Sequence, residues 1–152
     1  MASTFAMKLS PVTFTIKRRG IIALVFLGLI FITCQASLSS AAPISPQNLA
    51  NRLESPQAPI VLDVRSEAEY ADEHIPGAVN IPYREIPVRL DELMDFKTRE
   101  IVVYCEVGVR AGIAELALQQ AGFQHIVPLQ GDISAWRQEG LPLETDSSTP
   151  EP

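Results

Sequence analysis

Cysteine and histidine are scarce, with two of each in 152 residues. No Cys/His cluster has metal-site spacing, which excludes a zinc module. Positive charge is thin over most of the chain. Of 12 Lys and Arg set against 18 Asp and Glu, Lys8, Lys17, Arg18 and Arg19 all fall within residues 1–41, which hold no acid. The remainder is strongly acidic, and an acidic surface repels phosphate backbones, so nucleic acid is excluded as a partner. Small substrates or another protein remain. Internal repeats, heptads and long apolar edge strands are absent, and a monomer is expected.

No apolar run reaches the length of about 20 residues that a spanning helix needs. The longest, Ile21 to Thr33, follows Lys17-Arg18-Arg19 and precedes the small residues Ser39-Ser40-Ala41, which is the grammar of an export signal. Residues 1–41 are therefore expected to be a signal peptide, released after about Ala41, with the rest in the periplasm or another extracytoplasmic compartment. The alternatives are an uncleaved anchor and lipid attachment at Cys34, whose preceding Phe31-Ile32-Thr33 suits that modification poorly; membrane contact is expected only through this N-terminal segment. Residues 42–144 suffice for one domain with one core, and 145–152 read as a flexible tail. Without the leader, Cys105 is the sole cysteine. A lone thiol in an exported domain is no staple, and the plain alternative is an inert buried cysteine.

Short apolar runs alternate with amphipathic stretches. Ser45-Pro46 offers an N-cap and a proline at the first helical position, opening a helix through about Leu53. Ile60 to Val64 and Ile101 to Tyr104 are continuous, β-branched runs of the kind buried inside parallel sheets. Ala78 to Ile81 and Ile126 to Leu129 are shorter strand candidates, and Pro128 pushes the latter to a margin. Helices are expected over Glu67 to Ala71, Glu85 to Met94, Ala111 to Gln120 and Ile133 to Glu139. In the third, Ile113, Leu116, Ala117 and Ala121 recur at helical spacing and Gly122 supplies a left-handed stop. This alternation predicts an α/β domain, a mainly parallel central sheet flanked by helices on both faces.

Ligands of open α/β sheets gather beyond the carboxyl ends of the strands, where Cys105 stands. Six residues, Cys105-Glu106-Val107-Gly108-Val109-Arg110, join that strand to the next helix. Successive N–H groups of so tight a turn can form an anion nest, and the helix adds the positive end of its dipole. Both favour thiolate over thiol, as does a cation such as Arg110. Gly108 permits a positive φ and a close backbone approach.

This loop resembles the C-x-x-G-x-R active loop of the rhodanese family of sulfurtransferases. "LDVR" at 62–65, "HIPGAVNIP" at 74–82 and "LQGDISAWRQEGLPLE" at 129–144 resemble, in order, its strand signatures and its C-terminal G-G-x-x-x-W-x-x-x-G-x-P pattern. The likeness covers residues 45 to 144. It implies that Cys105 takes a sulfane sulfur from thiosulfate or a persulfide, and that cyanide or an acceptor thiol then removes it. Backbone N–H groups of Glu106, Val107, Gly108, Val109 and Arg110 would hold the terminal sulfur. The cysteine is itself the carrier, so no metal and no organic cofactor is implied. Family members that use thiosulfate well often carry Arg or Lys after the cysteine; here Glu106 stands there. Unless Arg110 offsets that charge or Glu106 faces solvent, thiosulfate is expected to be a poor donor and a less charged persulfide or polysulfide the preferred one.

Other polar residues read as architecture. Asp63 and Arg65 at a strand end are expected to brace loops, His74 to make a structural hydrogen bond, and Trp136 to fill the core. The acids from Asp91 to Asp95 read as a solvated face. A cysteine phosphatase or arsenate reductase is the enzymatic rival, but those loops are C-x5-R and Cys105 to Arg110 is C-x4-R. A sulfur carrier without general turnover, and an inactive scaffold, are the other readings.

Overall fold

The computed structural model describes residues 41–146. The leader and tail expectations, where they fall on residues 1–40 and 147–152, lie outside the described residues. Among those described, no helix is long and apolar enough to cross a membrane.

Helix α1 (Pro46–Leu53) opens as expected, with Ser45 Oγ accepting the Asn48 N–H at 3.4 Å and Pro46 following. Strand β1 (Ile60–Asp63), helix α2 (Glu67–Asp72) and strand β2 (Val79–Asn80) come next. Ser66 caps α2 through a reciprocal box, its hydroxyl accepting the Glu69 N–H while Glu69 reaches back to the Ser66 N–H, which satisfies two otherwise orphaned donors. Strand β3 (Glu100–Tyr104), helix α3 (Val109–Gln120), strand β4 (His125–Pro128) and helix α4 (Asp132–Gln138) complete the chain. The four strands are all parallel in the order β2-β1-β3-β4, so Pro128 ends an edge strand, where a missing N–H is tolerated.

Side chains alternate across the sheet. Leu62, Ile101, Val103 and Ile126 face α3, whereas Val61, Val102 and Tyr104 face α1 and α4. Each face thus has its own buried cluster, which is why β1 and β3 read as unbroken apolar runs. Trp136, 1% exposed, anchors the second cluster and donates its indole N–H to the Pro142 carbonyl at 2.8 Å.

Two expectations need correction. Residues 85–94 form no α-helix but two 3₁₀ segments, Ile86–Val88 and Leu90–Phe96. Pro87 disfavours helical dihedrals at Ile86 and supplies no N–H, and Arg89 at φ −114° interrupts the turn. Asp91, Glu92 and Asp95 are exposed as expected, and only Leu93 of the second segment is buried. In α3 the sheet receives Ala111, Ala114 and Leu118, while Ile113 and Leu116 are each 51% exposed. Small side chains let the helix backbone approach the sheet, and that rotation turns the branched residues outward. The helix ends as expected at Gly122, φ 85°. Gly122 and Phe123 donate N–H groups to the Gln119 and Leu118 carbonyls, and buried Phe123 and Leu118 share one core cluster beneath this left-handed cap.

Candidate active site

Cys105 follows the last residue of β3 and is 1% exposed. Its backbone is held from α4: the N–H donates to Asp132 Oδ1 at 2.7 Å and the carbonyl accepts the Ile133 N–H at 3.2 Å. Its Sγ accepts the Gly108 N–H at 3.1 Å. Gly108 has φ 96° and caps α3, and a Cβ there would lie 3.1 Å from Asp132 Oδ2. Only glycine meets both demands, a left-handed backbone and a carboxylate pressed against it. Cys105 belongs to the apolar cluster between the sheet and α3, and its Sγ meets one loop N–H at the edge of that cluster. That N–H bond separates it from an inert core thiol, which faces apolar groups on every side.

The other loop residues divide. Val107 and Val109 are 70% and 72% exposed, so they can serve a bound sulfur only through their main chain. No hydrogen bond within the described residues engages the N–H groups of Glu106, Val107, Val109 or Arg110. Arg110 does not simply face the sulfur. Its two terminal nitrogens bind Glu69 of α2 at 2.6 and 2.7 Å. That pairing raises the Arg110 pKa, with smaller contributions from the nearby Cys105.

Glu106 is likewise neither offset by Arg110 nor free in solvent. Arg137 of α4 grips it bidentately at 2.6 and 3.0 Å, the Ser134 hydroxyl lies 3.1 Å away and Arg65 Nη1 is at 3.8 Å. The Arg137 hydrogen bonds, then those of Ser134 and the charge of Arg65, lower the Glu106 pKa. Arg137 also bonds Glu73, tying the loop to the end of α2. The negative charge beside the nucleophile, on which the expectation of poor thiosulfate use rested, is thus offset in part, since Arg137 divides its charge between Glu106 and Glu73.

Beneath the loop, Arg65 (2% exposed) meets Asp63 (0%) through Nε and Nη2, with contacts from 2.7 to 3.1 Å, and donates to the Glu73 carbonyl at 2.6 Å. This is the bracing expected of the pair. His74 stacks on Tyr70 at 3.8 Å with its Nδ1 2.8 Å from the Tyr70 carbonyl, a structural post away from the sulfur chemistry.

Glu69, Ser134, Arg137 and Asp132 were missed in the sequence. For Asp132 a signal existed: in the stretch from Gly131 to Trp136 it occupies the second glycine of the G-G-x-x-x-W pattern. It keeps the glycine-like backbone, with φ 56°, the one non-glycine positive φ among the described residues. Burial raises its pKa, and hydrogen bonds from Cys105 lower it in part.

Pairing with Arg110 holds the Glu69 pKa at about 2, below the usual unfolded glutamate value of about 4.3. The stabilisation it contributes is complete above the unfolded value and is lost as pH falls through the folded one. Glu69→Gln is expected to lower the urea midpoint at pH 7, and the gap to wild type should close on acidification between about pH 4.3 and about pH 2. Urea titrations across that range check this. A gap that stays constant would show that the bridge carries no such linkage.

A parallel α/β sheet with a cysteine loop at its carboxyl edge, closing onto a helix N-terminus, is the architecture of a cysteine-centred transfer domain. The rhodanese-like domain family matches residues 45–139, and the chain belongs to that family. A sulfurtransferase of Allochromatium vinosum is 36% identical over 100 residues, covering 66% of this chain and 92% of that protein. A putative sulfur carrier protein, YrkF of Bacillus subtilis, is 32% identical over 98 residues, and this chain spans 52% of its length. Among solved structures, the Alr3790 protein from Anabaena sp. superposes with a TM-score of 0.61 at 34% identity, covering 67% of this chain and 81% of that one. Relatives with such names place the chain within a sulfurtransferase or sulfur-carrier family.

Proposed function

We propose that this protein is a single-domain sulfurtransferase that moves sulfane sulfur from a persulfide, polysulfide or thiosulfate donor to cyanide or a thiol through a persulfide on Cys105. The observation that carries this is the placement of Cys105 Sγ at the end of β3, 3.1 Å from the Gly108 N–H. The N–H groups of Glu106, Val107, Val109 and Arg110 lie in the same short loop. A terminal persulfide sulfur is a single anionic atom, and a tight ring of main-chain donors suits it better than a tetrahedral oxyanion does. That same geometry weighs against the phosphatase. Pairing of Glu106 with Arg137 keeps thiosulfate within the donor set. Export through the N-terminal segment completes the proposal and would place the reaction outside the cytoplasm.

A sulfur carrier shares the first half of this cycle and draws support from the Bacillus relative's name, so two measurements are needed. Intact mass after exposure to a persulfide or thiosulfate should show one added sulfur atom, and cyanide should remove it catalytically with ping-pong kinetics. Loading without turnover would assign a carrier, and no loading from any donor would end the proposal.

A further inference from the structure

The carboxylates around the loop have arginine partners, with one exception. Glu69 has Arg110, and Glu73 and Glu106 share Arg137. Asp132 forms no ion pair among the described residues, although it is 6% exposed and lies directly behind the nucleophile. Its Oδ1 accepts the Cys105 N–H at 2.7 Å, and its Oδ2 is 3.1 Å from the point where a Gly108 side chain would begin. Its left-handed backbone, φ 56°, costs an aspartate what a glycine would not pay. A burial penalty and a backbone penalty are both tolerated to set a carboxylate at this spot. It touches the Cys105 N–H and the Gly108 backbone, and the charge of Glu106 acts on it as well. The cations around the loop, Arg65, Arg110 and Arg137, are engaged with Asp63, Glu69, Glu73 and Glu106.

We infer that Asp132 is a specificity-determining residue, biasing Cys105 toward donors that carry at most one negative charge on the sulfane group, such as alkyl persulfides, and against dianionic thiosulfate. Repulsion grows with the product of the charges, and a fixed charge inside the protein is screened little by salt. A dianion therefore feels twice the penalty of a monoanion approaching the same sulfur. In either reaction Cys105 sulfur bonds to the donor's outer sulfur as the donor's own sulfur–sulfur bond breaks. The electron pair of that bond leaves with an alkyl thiolate or with sulfite, so charge balances and no oxidant or reductant enters.

The inference rests on the sulfurtransferase reading, and the test separates the two. Asp132→Asn keeps an oxygen for the Cys105 N–H and removes the charge; Asp132→Gly suits the backbone and removes the side chain. Rates of sulfur loading from thiosulfate and from glutathione persulfide, read by quenched intact mass, give a donor ratio that a merely structural role would not move. In both variants the thiosulfate-to-persulfide ratio should rise about tenfold over wild type. A ratio within about twofold of wild type, whether both rates fall together or neither changes, would overturn the assignment while leaving the sulfurtransferase standing. Wild type that loads from neither donor would overturn both.

Discussion

Cys105→Ser is expected to take up no sulfur from any donor while folding as wild type does. A serine hydroxyl stays protonated at neutral pH and is a far weaker nucleophile than a thiol, so the displacement that forms the persulfide has no starting point. The fold should survive, because the backbone bonds of Cys105 to Asp132 and Ile133 are kept, and a serine of similar size can still accept the Gly108 N–H from the same edge of the core cluster. A stability loss of about 1 kcal/mol, typical of a small polar change at a buried site, is the expected ceiling. Intact mass after donor exposure and a urea titration measure the two halves. Cys34 is the other thiol of the full chain, so any adduct is mapped to its peptide. Sulfur loading of the serine variant equal to that of wild type would remove Cys105 from the chemistry.

The largest stability effect is expected from Asp63→Ala, about 3–5 kcal/mol, the usual cost of leaving a buried charge without its partner. Asp63 Oδ1 accepts both the Arg65 N–H at 2.9 Å and its Nε at 3.1 Å, and Oδ2 takes Nη2 at 2.7 Å. After truncation the guanidinium keeps the Glu73 carbonyl and the Tyr104 ring, 5.8 Å from its centre, but no carboxylate closer than Glu106. Glu106 at 3.8 Å is committed to Arg137. Replacing Arg65 by Met in the same background should recover part of the loss, because an apolar side chain needs no partner there. Urea unfolding of the three proteins tests this. A deficit below about 1 kcal/mol for Asp63→Ala would mean that water or Glu106 takes over the cation, and that the pair is not the brace its burial indicates.

What was legible in the sequence was local. The runs at 60–64 and 101–104 declared themselves as interior parallel strands because both of their faces are covered, and the position of Cys105 followed from where the second run ends. Ser45-Pro46 and Gly122 marked helix ends through chemistry confined to a few neighbouring residues. What escaped was set by distant partners. Glu106 looked like a bare charge because Arg137, which offsets it in part, comes from another helix. Arg110 looked like the sulfur's cation because Glu69 comes from a different helix again. The outward turn of Ile113 and Leu116 depends on how closely α3 packs on the sheet, which periodicity does not encode. Asp132 was the exception, since its intrusion on a glycine pattern was visible before any partner was known.

One contact near the start of the described chain bears on how the molecule behaves in company. Ile44 pairs with Leu129 just past the end of β4, its N–H donating to the Pro128 carbonyl at 3.0 Å and its own carbonyl receiving the Gln130 N–H at 2.8 Å. The sheet is guarded at one margin by this strap and at the other by the brevity of β2, only two residues long. Proteolytic trimming past Ile44 bares main-chain hydrogen-bonding groups to which a strand of a neighbouring molecule can zip. The chemistry at Cys105 would be untouched by such a cut, yet the trimmed protein would be the more prone to clump.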